Sequence, residues 1–317
     1  MSINESNEMV TVTGLTKIYK GDIKAVDGVS LSIKEGEVFG LLGPNGAGKT
    51  TTLHMLSTIL KPTSGEAKVN GFDVVKQPGR VRESIGIVFQ DPSSDELLTG
   101  YENLRMHALL YGVPGSIRRQ RIDEVLELVD LNNRRNDLLK NYSGGMRRRL
   151  EIARGLLHRP KVLFLDEPTL GLDPQTREHI WEYIERLVHD EKLTIIITTH
   201  YMDEADRLCD RIAIMDKGAI IVLDTPDELK RGLGGDIIKI QAKAPNLSAL
   251  EALTYVKLVE ASGEEVTLTV IDAGFHIQEI LSVIGKVDSV ELRPPSLSDV
   301  FLKYTGREYH EQEGNNS

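Results

Sequence analysis

"GPNGAGKT", residues 43–50, fits the pattern G-x-x-x-x-G-K-[ST], with Gly43, Gly48, Lys49 and Thr50 at its fixed positions. The apolar run before it, "EVFGLL" (37–42), reads as a buried strand, and "TTTLHMLSTIL" (50–60) reads as the helix leaving it. Glycines let the backbone wrap a chain of phosphates, Lys49 offsets β/γ charge, and the Thr50 hydroxyl can ligate Mg²⁺. A turn with no ligand would have no use for Lys49. The stretch therefore predicts an α/β P-loop nucleoside triphosphatase core. Its cradle would comprise Gly43, Pro44, Asn45, Gly46, Ala47, Gly48, Lys49, Thr50 and Thr51.

Three further strand-like runs end in polar groups. "KVLFLDEPT" (161–169) ends in Asp166 and Glu167, adjacent carboxylates that can divide labour between the Mg²⁺ shell and an attacking water. Taken alone, Glu167 is equally the start of a solvated loop. "LTIIITTH" (193–200) ends at His200, which could stabilise charge on a γ-phosphate, although a lone histidine in that place is more often structural. "IGIVFQ" (85–90) ends at Gln90. In an open parallel sheet such ends line the ligand crevice. A second glycine-rich helix start, "NYSGGMRRRLE" (141–151), is either another anion cradle or a flexible lead-in.

The glycine-rich loop, "SGG" (143–145), "LFLDEP" (163–168), "GLD" (171–173) and His200 follow the order of the ATP-binding-cassette ATPases, which this chain resembles over residues 9–232. The resemblance implies ATP and Mg²⁺ as cofactors and roles position by position. Tyr19, in "KIYKGDIKAV" (17–26) and otherwise an ordinary strand residue, would stack on adenine. Gln90 would approach Mg²⁺ and the attacking water, Glu167 would be the catalytic glutamate and His200 the switch histidine. Thr50, Gln90 and Asp166 would form the metal set. Asp173 would belong to a loop crossing a dimer interface. Because one P-loop already surrounds its own nucleotide, Ser143, Gly144 and Gly145 are expected to cap the γ-phosphate held by a partner's Lys49 in a head-to-tail homodimer. Tyr142 and Met146 replace the family's usual Leu and Gln around Ser-Gly-Gly. That variant, the arginine-rich "MRRRLEIARGLL" (146–157) and the tail "RPPSLSDVFLKYTGRE" (293–308) resemble the drug-resistance and ABC-2-type exporter branch, daunorubicin-resistance types among them. The resemblance thus implies an exporter ATPase at the cytoplasmic face of the membrane, held there by a separate ABC-2-type transmembrane permease. The competing expectation is a soluble cassette ATPase acting on ribosomes or DNA, but those carry paired cassettes or an inserted coiled coil, and this chain has one uninterrupted cassette. A kinase or GTPase leaves "SGG", Tyr19 and His200 unexplained, and the guanine motif N-K-x-D is missing.

Composition agrees. The 317 residues suit one large domain with a smaller companion, and 40% hydrophobic content is enough for a core. A formal net charge of −10 argues against a dedicated nucleic-acid binder, despite the basic runs at 117–121 and 146–150. The single Cys209 excludes a disulfide framework within the chain and reads as a small buried apolar residue. The acidic start "MSINESNEMV" does not read as a signal peptide, and no apolar run approaches the ~20 residues that span a bilayer.

Along the chain, residues 1–8 are expected to be a flexible N-terminus, and residues 9–40 an antiparallel β-layer with turns at "KGD" and "KEGE". Residues 91–157 are expected to form a helical subdomain. Within it, "SIRRQRIDEVLELVD" (116–130) carries Ile122, Val125, Leu126 and Val129 on one stripe, with Ser116 as a cap. "DPSSDELLTGYENLRMHALLYG" (91–112) falls where the family receives a coupling helix, and from its residues alone is equally a mobile loop. Asp173 and Pro174 read as cap and first residue of a helix whose Ile180, Ile184 and Leu187 face the sheet. After "KRGLGGD" (230–236) the pattern becomes β-α-β-β-α-β over 236–306, the order of a small ferredoxin-like α+β domain without a catalytic constellation. Residues 307–317 read as a flexible tail.

Overall fold

In the computed structural model, which describes residues 8–243 and 245–306, the strand Val38–Leu42 is buried throughout and lies inside a six-stranded sheet. Its neighbours are Arg211–Asp216 on one side and Thr194–Thr199 on the other. Val162–Asp166 and then Ile85–Val88 continue the sheet, every one of these pairings parallel. Strands buried on both faces read as unbroken apolar runs, which is why 162–166 and 194–199 show no alternation. Ala219–Asp224 closes the far edge, joined to Arg211–Asp216 through Lys217 and Gly218, both at positive φ, as a tight hairpin turn requires. Registry aligns Leu42 with Thr199, Asp166 with Thr198, and Val88 with Leu165, so the carboxyl ends of four strands emerge side by side. These ends carry Gly43, His200, Glu167 and Gln90, the arrangement expected of a crevice at a switch point.

An antiparallel four-stranded layer stands in front of that sheet. Glu8–Tyr19 pairs with Ile23–Lys34 and with Ser64–Val69, and Phe72–Asp73 forms its other edge. Val10, Leu31 and Val69 from this layer share one core with Phe39 and Phe164 from the parallel sheet and Leu53 and Met55 from the helix Lys49–Leu56. Burial of that shared face holds the P-loop helix between two sheets.

The helical segment comprises Gly100–Leu110, Gly115–Leu128 and Gly144–Leu156. Ile122, Val125, Leu126 and Val129 are buried as their spacing predicted. Ser116 is not the cap: Pro114 occupies that position and the helix has already begun at Gly115. The segment 91–112 is pinned. Asp95 N–H donates to Asn103 Oδ1 at 2.9 Å, Asn103 Nδ2 returns to the Asp95 carbonyl, and Thr99 and Glu102 form a reciprocal capping box on the helix they begin. Tyr142 is buried, its hydroxyl donating to the Arg134 carbonyl at 2.9 Å. A Cβ on Gly100 would lie 2.3 Å from that hydroxyl oxygen, so this tyrosine requires glycine there.

The chain divides into two compact units between Leu223 and Asp224. The helix Pro226–Arg231, expected with the cassette at 9–232, therefore belongs to the second unit, where it packs on Leu297–Thr305 and Gly232 accepts a hydrogen bond from Lys303 Nζ at 2.7 Å. Asp236–Ala242, Val256–Ser262, Glu265–Val270 and Val287–Arg293 form its sheet. Numbered by their sequence order within this unit, the strands lie in the order 2-3-1-4 with every neighbour antiparallel, the ferredoxin-like arrangement. Ile238, Ile240, Val266 and Leu268 pack under Ile280 and Ile284 of the helix Ala273–Ile284. Glu8, expected within the flexible N-terminus at 1–8, instead opens the strand Glu8–Tyr19; the rest of that expectation, 1–7, and the expected tail 307–317 lie outside the described residues.

Arg293 clamps Asp299 with two hydrogen bonds of 2.6 and 2.8 Å, and Ser296 caps the last helix by accepting from the Asp299 N–H while its own N–H and hydroxyl donate to the Asp299 carboxylate. Burial would raise the Asp299 carboxyl, but the bonds from Arg293 and Ser296 hold it below the usual carboxylate range. A group whose folded pKa is depressed stabilises the fold above its unfolded pKa, and that contribution is lost as pH falls through the folded value. Asp299→Asn is thus expected to cost about 1–3 kcal/mol at neutral pH, with the difference from wild type vanishing in acid. Thermal melts of both proteins between neutral and acid pH check this.

Candidate active site

Lys49 is buried at the first turn of its helix and donates to the carbonyls of Gly43 at 2.7 Å and Pro44 at 3.2 Å. Its Nζ also stands 3.5 Å from Glu167 Oε1. Burial pushes the ammonium below its ordinary pKa, opposed by Glu167 and Asp166. Gly48 enters the helix at φ +101, and a Cβ there would lie 2.5 Å from the Ala25 carbonyl oxygen. The position admits glycine alone without moving the front β-layer.

Thr50 Oγ1 donates to Asp166 Oδ1 at 2.9 Å, which puts a hydroxyl and a carboxylate side by side at the mouth of the P-loop. Thr198 Oγ1 donates to the same Asp166 oxygen and His54 Nε2 stands 4.0 Å from the other. Hard oxygen donors in this pairing fit Mg²⁺, which takes one or two protein oxygens and completes its shell with phosphate and water.

Glu167 follows the buried strand in a left-handed conformation, φ +45, rare for a residue with a side chain. Its N–H donates to the Thr198 carbonyl at 3.1 Å and to Thr198 Oγ1 at 3.0 Å. This aims the carboxylate back across the strand ends, where Oε2 meets His200 Nδ1 at 3.2 Å and Oε1 faces Lys49. Burial raises the carboxyl, but His200 and Lys49 hold it below its usual range, so it is an anion at neutral pH. Lys49, Thr50, Asp166, Glu167 and His200 are thus brought together.

Six predicted residues stand apart. Tyr19 ends its strand 43% exposed, with Lys17 Nζ 5.5 Å from its ring centroid. Gln90 is exposed beyond Val88, and no described hydrogen bond joins it to Asp166 or Glu167. Asp173 caps the helix Pro174–Glu191, accepting from Thr176 N–H at 3.0 Å and Thr176 Oγ1 at 2.6 Å. Ser143 likewise caps its own helix, accepting from Met146 N–H at 3.2 Å. Ser143 and Gly144 are exposed, and a Cβ at Gly144 or Gly145 would meet Leu172 or Thr176, not the P-loop. The second glycine-rich helix start therefore lies beside the Leu172–Asp173 turn of its own chain.

The residues that hold this site together were not foreseen. Thr198 bonds the Asp166 carboxylate and the Glu167 N–H. Arg148, buried in the helix Gly144–Leu156, donates to the carbonyls of Phe89, Asp166, Glu167 and Pro168 at 2.6–3.0 Å. Glu204 is fully buried and accepts from Thr169 Oγ1 at 2.7 Å and Trp181 Nε1 at 3.0 Å. A run of three arginines reads as a solvated stripe, and only the packed helix shows which one turns inward.

Comparison with known proteins agrees with this geometry. A family model described as ABC transporter matches residues 26–170, and one described as ATP-binding protein DrrA1-3-like, C-terminal domain, matches residues 225–305. The daunorubicin/doxorubicin resistance ATP-binding protein DrrA of Streptomyces peucetius is 42% identical over 306 residues, covering 94% of this chain and 92% of that protein. The linearmycin resistance ATP-binding protein LnrL of Bacillus subtilis (strain 168) is 38% identical over 310 residues, covering 94% and 99%. A solved ATP-binding cassette, described as dimeric, in a post-hydrolysis state and bound to ADP and Pi, superposes with a TM-score of 0.62 at 31% identity, covering 68% of this chain and 98% of that one.

Proposed function

Because the chain belongs to the ABC transporter family of ATP-binding proteins, we propose that it is the ATP-hydrolysing subunit of an exporter, paired head to tail with a second copy and docked on an ABC-2-type permease. Among the described residues no helix is long and apolar enough to cross a membrane, so in this reading a separate polypeptide does the spanning. Its place would be the cytoplasmic face of the membrane. The relatives named for drug resistance support export, and no feature of the site favours ribosomes or DNA.

In this reading the P-loop from Gly43 to Thr51 wraps the phosphates, and Lys49 exchanges its loop carbonyls for β/γ oxygens. Thr50, Asp166 and Gln90 would hold Mg²⁺. Bound Mg²⁺ would neutralise charge on the β/γ-phosphates. Glu167 orients the attacking water and accepts its proton, and His200, already 3.2 Å from that carboxylate, holds it in place and faces the γ-phosphate. Tyr19 stacks on adenine.

One observation carries the two-chain reading. Ser143 and Gly144 are exposed, and Ser143 makes no described hydrogen bond to Lys49 or the rest of the P-loop, so this glycine-rich helix start is open to an anion from another chain. A second copy supplies it by two-fold symmetry, with Asp173 crossing the interface. ATP then bridges the copies, and loss of the γ-phosphate releases them. Purification of the tagged chain from detergent-solubilised membranes tests the assignment. A multi-spanning protein should accompany it with ATP hydrolysis retained, whereas recovery with ribosomes and no membrane protein would refute export.

A further inference from the structure

The Arg148 guanidinium is buried, yet none of its described hydrogen bonds goes to a carboxylate. Its four partners are main-chain carbonyls: Phe89 immediately before Gln90, and the consecutive Asp166, Glu167 and Pro168. Nε reaches Pro168 at 2.6 Å, Nη1 reaches Phe89 at 2.6 Å, and Nη2 is shared between Asp166 at 2.9 Å and Glu167 at 3.0 Å. Burying a cation is costly, and stability alone is often served as well by an apolar side chain of similar volume. The planar five-donor fork can join two separate segments at fixed angles, as no apolar residue or lysine can.

The same helix also grips the far side of Gln90. Glu151, one turn beyond Arg148, accepts from the N–H groups of Ser93 and Ser94 at 3.3 and 3.0 Å, and is itself paired with Arg154 at 2.6 Å. Gln90 thus sits in a short bridge anchored at both ends to the helix that starts at Ser143. Glu167, in its left-handed conformation, is held by Thr198 from the sheet side and by Arg148 from the helix side. The Ser143 helix is thereby tied to Glu167 through Arg148, and to the Gln90 bridge through Arg148 at one end and Glu151 at the other.

We propose that Arg148 is a positioning residue that couples the two nucleotide sites: the helix start seated on a partner's phosphate sets, through Arg148, the placement of Glu167 and Gln90 in the helix's own chain. The coupling rests on the head-to-tail reading above, while the positioning of Glu167 stands within one chain. An interaction of this kind raises turnover without adding to ground-state binding, because its carbonyl partners never touch the nucleotide.

The test uses full-length Arg148→Lys and Arg148→Gln, measuring melting temperature, ATP affinity and steady-state hydrolysis. Expected are folded proteins, ATP affinity and KM within about threefold of wild type, kcat lower by about 10²-fold, and a Hill coefficient for ATP that falls to 1. Lysine should rescue no better than glutamine, since charge without the fork cannot span both segments. Turnover within threefold of wild type, rescue by lysine, or a raised KM at unchanged kcat would each overturn the positioning role, as would failure of both variants to fold. Lost turnover with an unchanged Hill coefficient would overturn the coupling. ATP-driven dimerisation of Glu167→Gln, measured alongside, separates the two ideas: its absence refutes the head-to-tail pair, whereas its presence with a fully active Arg148→Lys refutes only this proposal.

Discussion

Glu167→Gln is expected to lower kcat by about 10²- to 10⁴-fold while leaving ATP affinity within a few-fold of wild type. The substitution keeps the shape that fills the space between Lys49 and His200 and removes the anion that both approach, at 3.5 and 3.2 Å. The phosphate cradle is untouched, because Lys49 is held by the Gly43 and Pro44 carbonyls as well as by Glu167. Removing a negative charge beside the lysine also takes away repulsion toward phosphate, so binding should not weaken. Fluorescent-nucleotide titration and a steady-state phosphate-release assay measure the two quantities separately. A variant losing affinity and turnover in equal proportion would show that Glu167 serves binding.

Ser143→Arg is expected to abolish turnover, by at least about 10²-fold, with little change in nucleotide binding by the isolated chain. Ser143 is exposed and makes no described hydrogen bond to the P-loop, so its own chain's nucleotide should not sense the change. In the paired arrangement the same side chain would face the partner's γ-phosphate, where an arginine's bulk holds the subunits apart. The helix also loses its cap, a cost of about 1 kcal/mol that a thermal melt reads independently. Equal loss of binding and turnover would place Ser143 at its own subunit's nucleotide.

The residues that touch phosphate or metal were legible because chemistry restricts their type and spacing. A glycine-rich loop between a strand and a helix, and carboxylates at a strand end, announce themselves without tertiary information. The α+β order of 236–306 was legible for a related reason, since periodicity changes there from helix to strand and back. What was hidden depends on packing. Arg148 is one arginine of three, and only the packing of its helix against the strand Ile85–Val88 shows that it is the one buried. Thr198 reads as a strand residue until registry sets it beside Asp166. The segment 91–112 does carry a local signal, for Thr99 and Glu102 have capping-box spacing and begin the helix that orders it. Ser116 misled in the opposite way, because a good capping residue lay one position inside a helix already started after Pro114. Tyr142, which stood out as a departure from the family's commonest pattern, proves to be a packed residue with its own glycine, Gly100, cleared to receive it.

The central claim is that two chains complete one ATP site. It is tested most directly by the solution mass of Glu167→Gln, measured by light scattering during size exclusion with and without Mg²⁺-ATP. Without nucleotide the mass should correspond to one chain of 35.3 kDa; with ATP it should double, and the Glu167→Gln, Ser143→Arg double variant should not follow. An ATP-loaded Glu167→Gln that stays at the mass of one chain, or a double variant that dimerises as readily, would contradict the shared site.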